Sequence, residues 1–139
     1  MITKPVLTDT GPLVAILSED DGQHDRCLQQ SLQLRRPAYT CWPAVTEAAY
    51  LLRVVPGGIK RLLAACDGTD FEILPLTAAD FPGIKGILGT YADQGFDLAD
   101  AALMYLAERE NIDHVFTLDR RHFSVYVKKA RKPLLLIPV

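Results

Sequence analysis

The sequence lacks several features that would settle a function by composition alone. It has no basic excess: 15 Lys and Arg against 17 Asp and Glu leave a net charge of −2. Whole-chain charge therefore advertises no nucleic-acid binder, and any such surface must be a local patch. It has no long apolar run. The run at 13–17 is far too short to span a membrane, and no signal-peptide pattern precedes it. Cysteines are few and odd in number, and Cys27, Cys41 and Cys66 lack metal-site spacing. They read as reduced thiols in a cytoplasmic protein, which sets aside zinc and thiol chemistry. Repeats, linkers and low-complexity segments are missing too. What is abundant is apolar: 49% of 139 residues, enough for one domain over 1–139 with a real core.

The most informative stretch is 97–119. Residues 97–111 contain no Gly or Pro and are rich in Ala, Leu and Met, which predicts a helix. Residues 111–113 supply its stop, and 114–118 read as a short buried strand. Asp100 stands in otherwise apolar company, where a carboxylate is costly unless a cation or a set of donors meets it. The helix carries the chain about 15 Å from Asp100 to Glu110. The strand brings it back about 16 Å from His114 to Asp119. Asp100 and Asp119 should therefore share one end of the unit. Two carboxylates brought together repel, and a divalent cation is the plain way to keep both ionised.

The rest of the chain alternates in the same manner. Residues 5–9 predict a strand ending in Asp9, followed by a sharp turn at Thr10-Gly11-Pro12 and a helix to residue 17. A helix is predicted over 23–34, a strand over 38–40, and a helix over 42–53 entered through Pro43. Glu47 is the only acid in that last helix. A helix over 59–66 and a strand over 71–75 follow. Thr77 is a plausible N-cap for a helical segment reaching residue 91, interrupted by Gly83, Gly86 and Gly89. After the central unit, 120–123 reads as a connecting turn. Residues 126–127 and 134–137 read as a closing strand or hairpin around the basic loop 128–132. Short strands alternating with helices argue for an open, mostly parallel sheet covered on both faces, with any site outside the carboxyl ends of the strands. Asp9, Glu47, Asp100 and Asp119 can all converge on that edge. Each taken alone has a purely structural explanation: a cap, a partner for an arginine, a dipole-favoured first-turn acid, a turn residue. Taken jointly, they point to a shared metal site. Asp97 lies three residues before Asp100 on the same helical face and reads as a cap or supporting acid, with direct metal ligation as the alternative.

The order Asp9-Thr10-Gly11, Thr46-Glu47-Ala48-Ala49, Asp97-Leu98-Ala99-Asp100-Ala101 and Thr117-Leu118-Asp119-Arg120-Arg121-His122-Phe123 resembles the PIN-domain nucleases. It is especially similar to the VapC-like ribonuclease toxins of prokaryotic toxin–antitoxin pairs. The resemblance covers essentially the whole chain. It implies a three-layer α/β/α sandwich with a mostly parallel central sheet, a Mg²⁺ or Mn²⁺ site, and endonucleolytic RNA cleavage leaving a 5′-phosphate and a 3′-hydroxyl. It also implies two partners, an antitoxin and a second copy of the chain. The family's four acidic positions match Asp9, Glu47, Asp100 and Asp119. Thr117 matches a frequent hydroxyl that holds Asp119 or a metal-bound water. Gly11 stands where the family often has Ser or Asn, so that side chain is missing here.

On this reading Asp9 and Asp100 are the first choices as direct ligands, with Asp119 and Glu47 completing the shell directly or through water. RNA beside an acidic site needs cations. Arg120 and Arg121 are the preferred candidates because they adjoin Asp119, ahead of Lys60-Arg61, Arg35-Arg36 and the loop 128–132. Trp42 and Tyr39 read as core residues, with base stacking as the alternative. His24, His114 and His122 are scattered and suggest no metal-free route. Three rivals remain. Asp9-Thr10-Gly11 is also the aspartic-protease triplet, but that chemistry needs two copies on an all-β scaffold. A non-catalytic PIN-like binding module, and the same nuclease chemistry in RNA processing outside a toxin pair, are the others.

Overall fold

The computed structural model describes residues 1–128 and 132–138. Five strands, β1 (Val6–Thr8), β2 (Ala38–Thr40), β3 (Phe71–Ile73), β4 (His114–Phe116) and β5 (Leu135–Ile137), form one sheet in the order β3-β2-β1-β4-β5. Every pairing is parallel. The helices are α1 (Thr10–Leu17), α2 (His24–Ser31), α3 (Trp42–Leu52), α4 (Gly58–Ala65), α5 (Phe81–Thr90), α6 (Leu98–Arg109) and α7 (Arg120–Val125). The α/β sandwich is thus the one the alternation predicts, with a sheet that is wholly parallel among the described residues.

Alternation along the central strands builds the two faces. Leu7 and Val115 point into a core with Leu103, Met104 and Leu106 of α6. Their neighbours Val6 and Phe116 point the other way, onto Ala15 of α1 and Cys27 of α2. Strands buried on both faces are expected to be apolar throughout, as these are.

The helix α6 is buried along most of its length, and both of its ends are closed by its own sequence. At the start, Asp97 Oδ1 accepts from Asp100 N at 2.8 Å, while Asp100 Oδ2 accepts from Asp97 N at 3.1 Å. This reciprocal box satisfies two orphan donors. At the end, Asn111 adopts φ +51. Asn111 N donates to Glu108 O at 3.3 Å and Ile112 N to Ala107 O at 2.9 Å, the paired bonds of a Schellman stop.

Three expectations need correction. The predicted turn at 120–123 is the helix α7, capped by Asp119, whose Oδ1 accepts from His122 N at 3.1 Å. The segment after Thr77 is a 3-10 turn, Ala78–Asp80, running into an uninterrupted α5. Its glycines do not break it. A Cβ on Gly83 would lie 2.3 Å from the Tyr105 ring, so glycine there lets α5 pack closely on α6. Finally, the sharp turn expected at 10–12 is instead the first turn of α1, which begins at Thr10, while the closing element forms as a strand, β5 parallel to β4, with only an isolated antiparallel bridge between Val127 and Pro133. Of the basic loop 128–132, residues 129–131 lie outside the described residues. No helix among the described residues is long and apolar enough to cross a membrane.

Candidate metal centre and active site

The sheet order changes direction between β1 and β4: β2 follows on one side of β1, and β4 lies on the other. A crevice opens outside the carboxyl ends of the strands at such a point. Asp9 directly follows β1 and Thr117 directly follows β4. Asp9 N continues the ladder by donating to Phe116 O at 2.9 Å. Glu47 comes from the second turn of α3, Asp97 and Asp100 from the cap and first turn of α6, and Asp119 from the cap of α7.

These residues surround one cavity of about 400 Å³, lined by Asp9, Thr10, Glu47, Asp97, Asp100 and Asp119 among others. The structure therefore brings together all four acids singled out in the sequence, with Asp97 beside them. Asp9 and Asp100 are buried at the floor, while Glu47 and Asp119 sit nearer the opening. The Thr117 hydroxyl donates to Asp9 Oδ2 at 2.8 Å and accepts from Asp119 N at 2.9 Å. One side chain thus couples the acid after β1 to the turn after β4.

Two contacts were not anticipated. Thr10 Oγ1 lies 3.3 Å from both Glu47 Oε2 and Ala44 O, which steadies the rim acid. His122 Nδ1 lies 2.8 Å from Asp100 Oδ2 and 2.9 Å from Asp119 Oδ2, with its ring edge against Phe96. The available signal was position: His122 is three residues after Asp119 and so falls back onto it once 120–125 is helical. Ligand atoms of Asp100, Asp119 and His122 all lie within 4.8 Å of one another.

The electrostatics are those of acids crowded without enough counter-charge. Burial pushes the Asp9 carboxyl up from 3.8 to about 7, and the charges of Asp100 and Asp97 add to this, against hydrogen bonds from Thr10 N and Thr117. Burial likewise lifts Asp100 to about 6, with Asp97 adding, while the Asp97 N–H and His122 hold it down. Glu47 is raised by burial and by Asp97. Among the described residues neither Asp9 nor Glu47 has an ion-pair partner. A set of hard oxygen donors, clustered at one opening and reluctant to ionise together, fits a small divalent cation.

The cationic candidates separate. Arg120 Nη1 donates to Pro138 O at 2.6 Å, and Arg36 pairs with Asp70 at 3.4 Å. Arg61 bonds Pro56 O and Leu17 O. Lys128, read as part of an exposed basic loop, is instead buried, bonding Asp113 at 2.6 Å and Asn111 at 2.9 Å. Arg121 is exposed beside His122, with Nη2 3.3 Å from its Nε2. Tyr39 packs on the core as expected. Trp42 does not: it is 55% exposed. A parallel α/β sheet with a single Asp9-Thr10-Gly11 triplet also removes the aspartic-protease alternative.

Comparison with known proteins agrees with this geometry. Ribonuclease VapC26 of Mycobacterium tuberculosis is 30% identical over 122 residues, covering 86% of this chain and 90% of its own length. The crystal structure of Mycobacterium tuberculosis VapC20, described as a Sarcin-Ricin loop cleaving toxin, matches with a TM-score of 0.73 at 16% identity, over 84% of this chain and 92% of that one. PAE2754 from Pyrobaculum aerophilum matches with a TM-score of 0.58 at 14% identity, over 96% and 90% respectively. The two structural likenesses concern the fold. The PIN-domain family model matches residues 6–129, from β1 past α7 and across the whole acidic cavity, and this chain belongs to the PIN-domain family.

Proposed function

We propose that the chain is a metal-dependent endoribonuclease acting as the toxin of a toxin–antitoxin pair, a reading supported by its similarity to Ribonuclease VapC26. The observation that carries this reading is the convergence of Asp9, Glu47, Asp100 and Asp119 on one cavity. Asp9 and Asp100 would hold Mg²⁺ or Mn²⁺, with Glu47 and Asp119 completing the shell directly or through water. The bound ion supplies Lewis acidity toward the phosphodiester and makes water nucleophilic at neutral pH.

The chain's own groups then have distinct tasks. Glu47, at the open rim, orients the attacking water and takes its proton on a carboxylate oxygen. Thr10 fixes that carboxylate, and Thr117 fixes Asp9. Asp97 is a positioning residue: it caps α6 and so aims Asp100. Arg121, and Arg120 behind it, draw in the phosphate. Water is the nucleophile, so preference for RNA comes from binding, not from the ribose 2′-hydroxyl. A proteinaceous antitoxin that covers the acidic cavity and a second copy of the chain complete the reading, in the cytoplasm, where the three free cysteines stay reduced.

The test is cleavage of single-stranded RNA with Mg²⁺ or Mn²⁺. EDTA should abolish it, and Asp9→Asn and Asp100→Asn should each lower the rate on the order of 10²–10³-fold. Undiminished cleavage in EDTA by Asp100→Asn would overturn the reading.

A further inference from the structure

A nitrogen donor stands among the carboxylate oxygens of the acidic cavity. His122 Nδ1 reaches one oxygen of each of two acids, 2.8 Å from Asp100 Oδ2 and 2.9 Å from Asp119 Oδ2. The ring is held in that position. Asp119 caps α7, and the three-residue spacing turns His122 back over its cap. Phe96 packs in a T against the imidazole, with ring centroids 5.4 Å apart. The side chain is 14% exposed. The other two histidines lie elsewhere: His24 Nδ1 is 2.7 Å from Ala15 O, and His114 begins β4, at the end of the strand away from the cavity.

This placement bears on which ion the cavity takes. Asp119 Oδ1 accepts the capping N–H of His122, so the oxygen left for an ion is Oδ2, the one against Nδ1. An octahedral ion with bonds of ~2.0–2.1 Å holds adjacent donors roughly 3 Å apart. Nδ1 already stands at about that spacing from both acids. An ion bridging Asp100 and Asp119 therefore lies next to Nδ1. An N–H pointed at the ion would be repelled by it, so the ring must either leave or present its lone pair. The α7 cap and the Phe96 contact hold the ring where it is.

We propose that His122 is a metal ligand through Nδ1, and that this nitrogen makes the site prefer a first-row transition ion such as Mn²⁺ over Mg²⁺. The inference rests on the metal-dependent reading above and deepens it by choosing between its two ions. Mg²⁺ is hard and takes oxygen donors, whereas imidazole nitrogen suits transition ions. Mn²⁺ accepts both kinds of donor. Coordination uses the Nδ1 lone pair, so the neutral ring carries its one proton on Nε2. Arg121 Nη2, itself a donor 3.3 Å from Nε2, then turns outward.

Calorimetric titration of the full chain with MnCl₂ and with MgCl₂, without RNA, tests this. The wild type should bind Mn²⁺ at least ~10-fold more tightly than Mg²⁺. His122→Asn keeps an N–H near the Nδ1 position, and so still bonds the two acids, but has no nitrogen lone pair to give. Its Mn²⁺ affinity should fall at least ~10-fold, with Mg²⁺ binding and far-UV circular dichroism little changed. Pulsed electron paramagnetic resonance of the Mn²⁺-loaded wild type should show the nitrogen modulation of a directly bound imidazole, and His122→Asn should lack it. A wild type without that modulation, or a His122→Asn protein that keeps the Mn²⁺ preference, would overturn the proposal. Either result, with both ions still bound through oxygens, leaves the metal-dependent nuclease in place. A wild type that binds neither ion would overturn both readings.

Discussion

Thr117 links two acids of the site that do not touch each other. Its hydroxyl donates to Asp9 and receives the N–H of Asp119, so two acids far apart in the sequence are placed by one oxygen. Thr117→Val keeps the shape and removes both bonds. We expect a loss of about 1–2 kcal/mol of stability and roughly 10-fold weaker Mg²⁺ binding, read by calorimetric titration and thermal unfolding. At this scale the sequence showed the acids but not the contacts between them. Glu47 and Asp100 stood out because charges are rare in apolar runs, and Asp9 and Asp119 because each ends a predicted strand. His122 and Thr10 did not, because their roles depend on how six-residue α7 falls back onto Asp119 and on how the first turn of α1 meets α3. Trp42 was misread for a related reason: tryptophan usually belongs inside, and its exposure is a property of what α3 packs against.

Among the elements, α6 was the most legible. Its Ala- and Leu-rich run and its stop at Asn111 are written locally, and the Asp97–Asp100 box follows from an acid three residues inside the start. By contrast α7, Arg120–Val125, is short and polar at its front and shows no periodicity. Its helicity comes from the Asp119 cap and from Phe123 locked into the core. The glycines of α5 misled in the opposite direction, since they suggested breaks where one of them serves packing. Gly83→Ala should drive a methyl into the Tyr105 ring and destabilise the chain by about 1–3 kcal/mol. Gly11→Ser should be tolerated, because a Cβ there meets Leu118 at 3.4 Å, an ordinary contact. Urea melts of the two variants should therefore separate clearly.

For the whole molecule, the crowded acids make stability depend on pH and on divalent cations together. Asp9 at about 7 and Asp100 at about 6 both lie above their ordinary 3.8. The folded chain thus holds protons that the unfolded chain has released, and their contribution is full below about pH 4. It is lost as pH rises to about 7, so metal-free protein should weaken steadily over that range. A bound cation prefers the ionised acids and should reverse the trend, with the stabilisation by Mg²⁺ growing from pH 5 to pH 8. Asp9→Asn should flatten the metal-free curve and raise the melting temperature near neutral pH, a gain on the order of 1–3 kcal/mol. Melting temperatures measured across pH with Mg²⁺ and with EDTA check all three statements.

The reversal of strand order between β1 and β4 also has a bearing on synthesis. Asp9 emerges from the ribosome early, and its neighbours Thr117 and Asp119 emerge more than a hundred residues later. A growing polypeptide therefore carries an unassembled acidic cluster until β4 and the start of α7 have been made. If the finished molecule attacks RNA, the translating machinery is spared by its own product until the last strands are laid down.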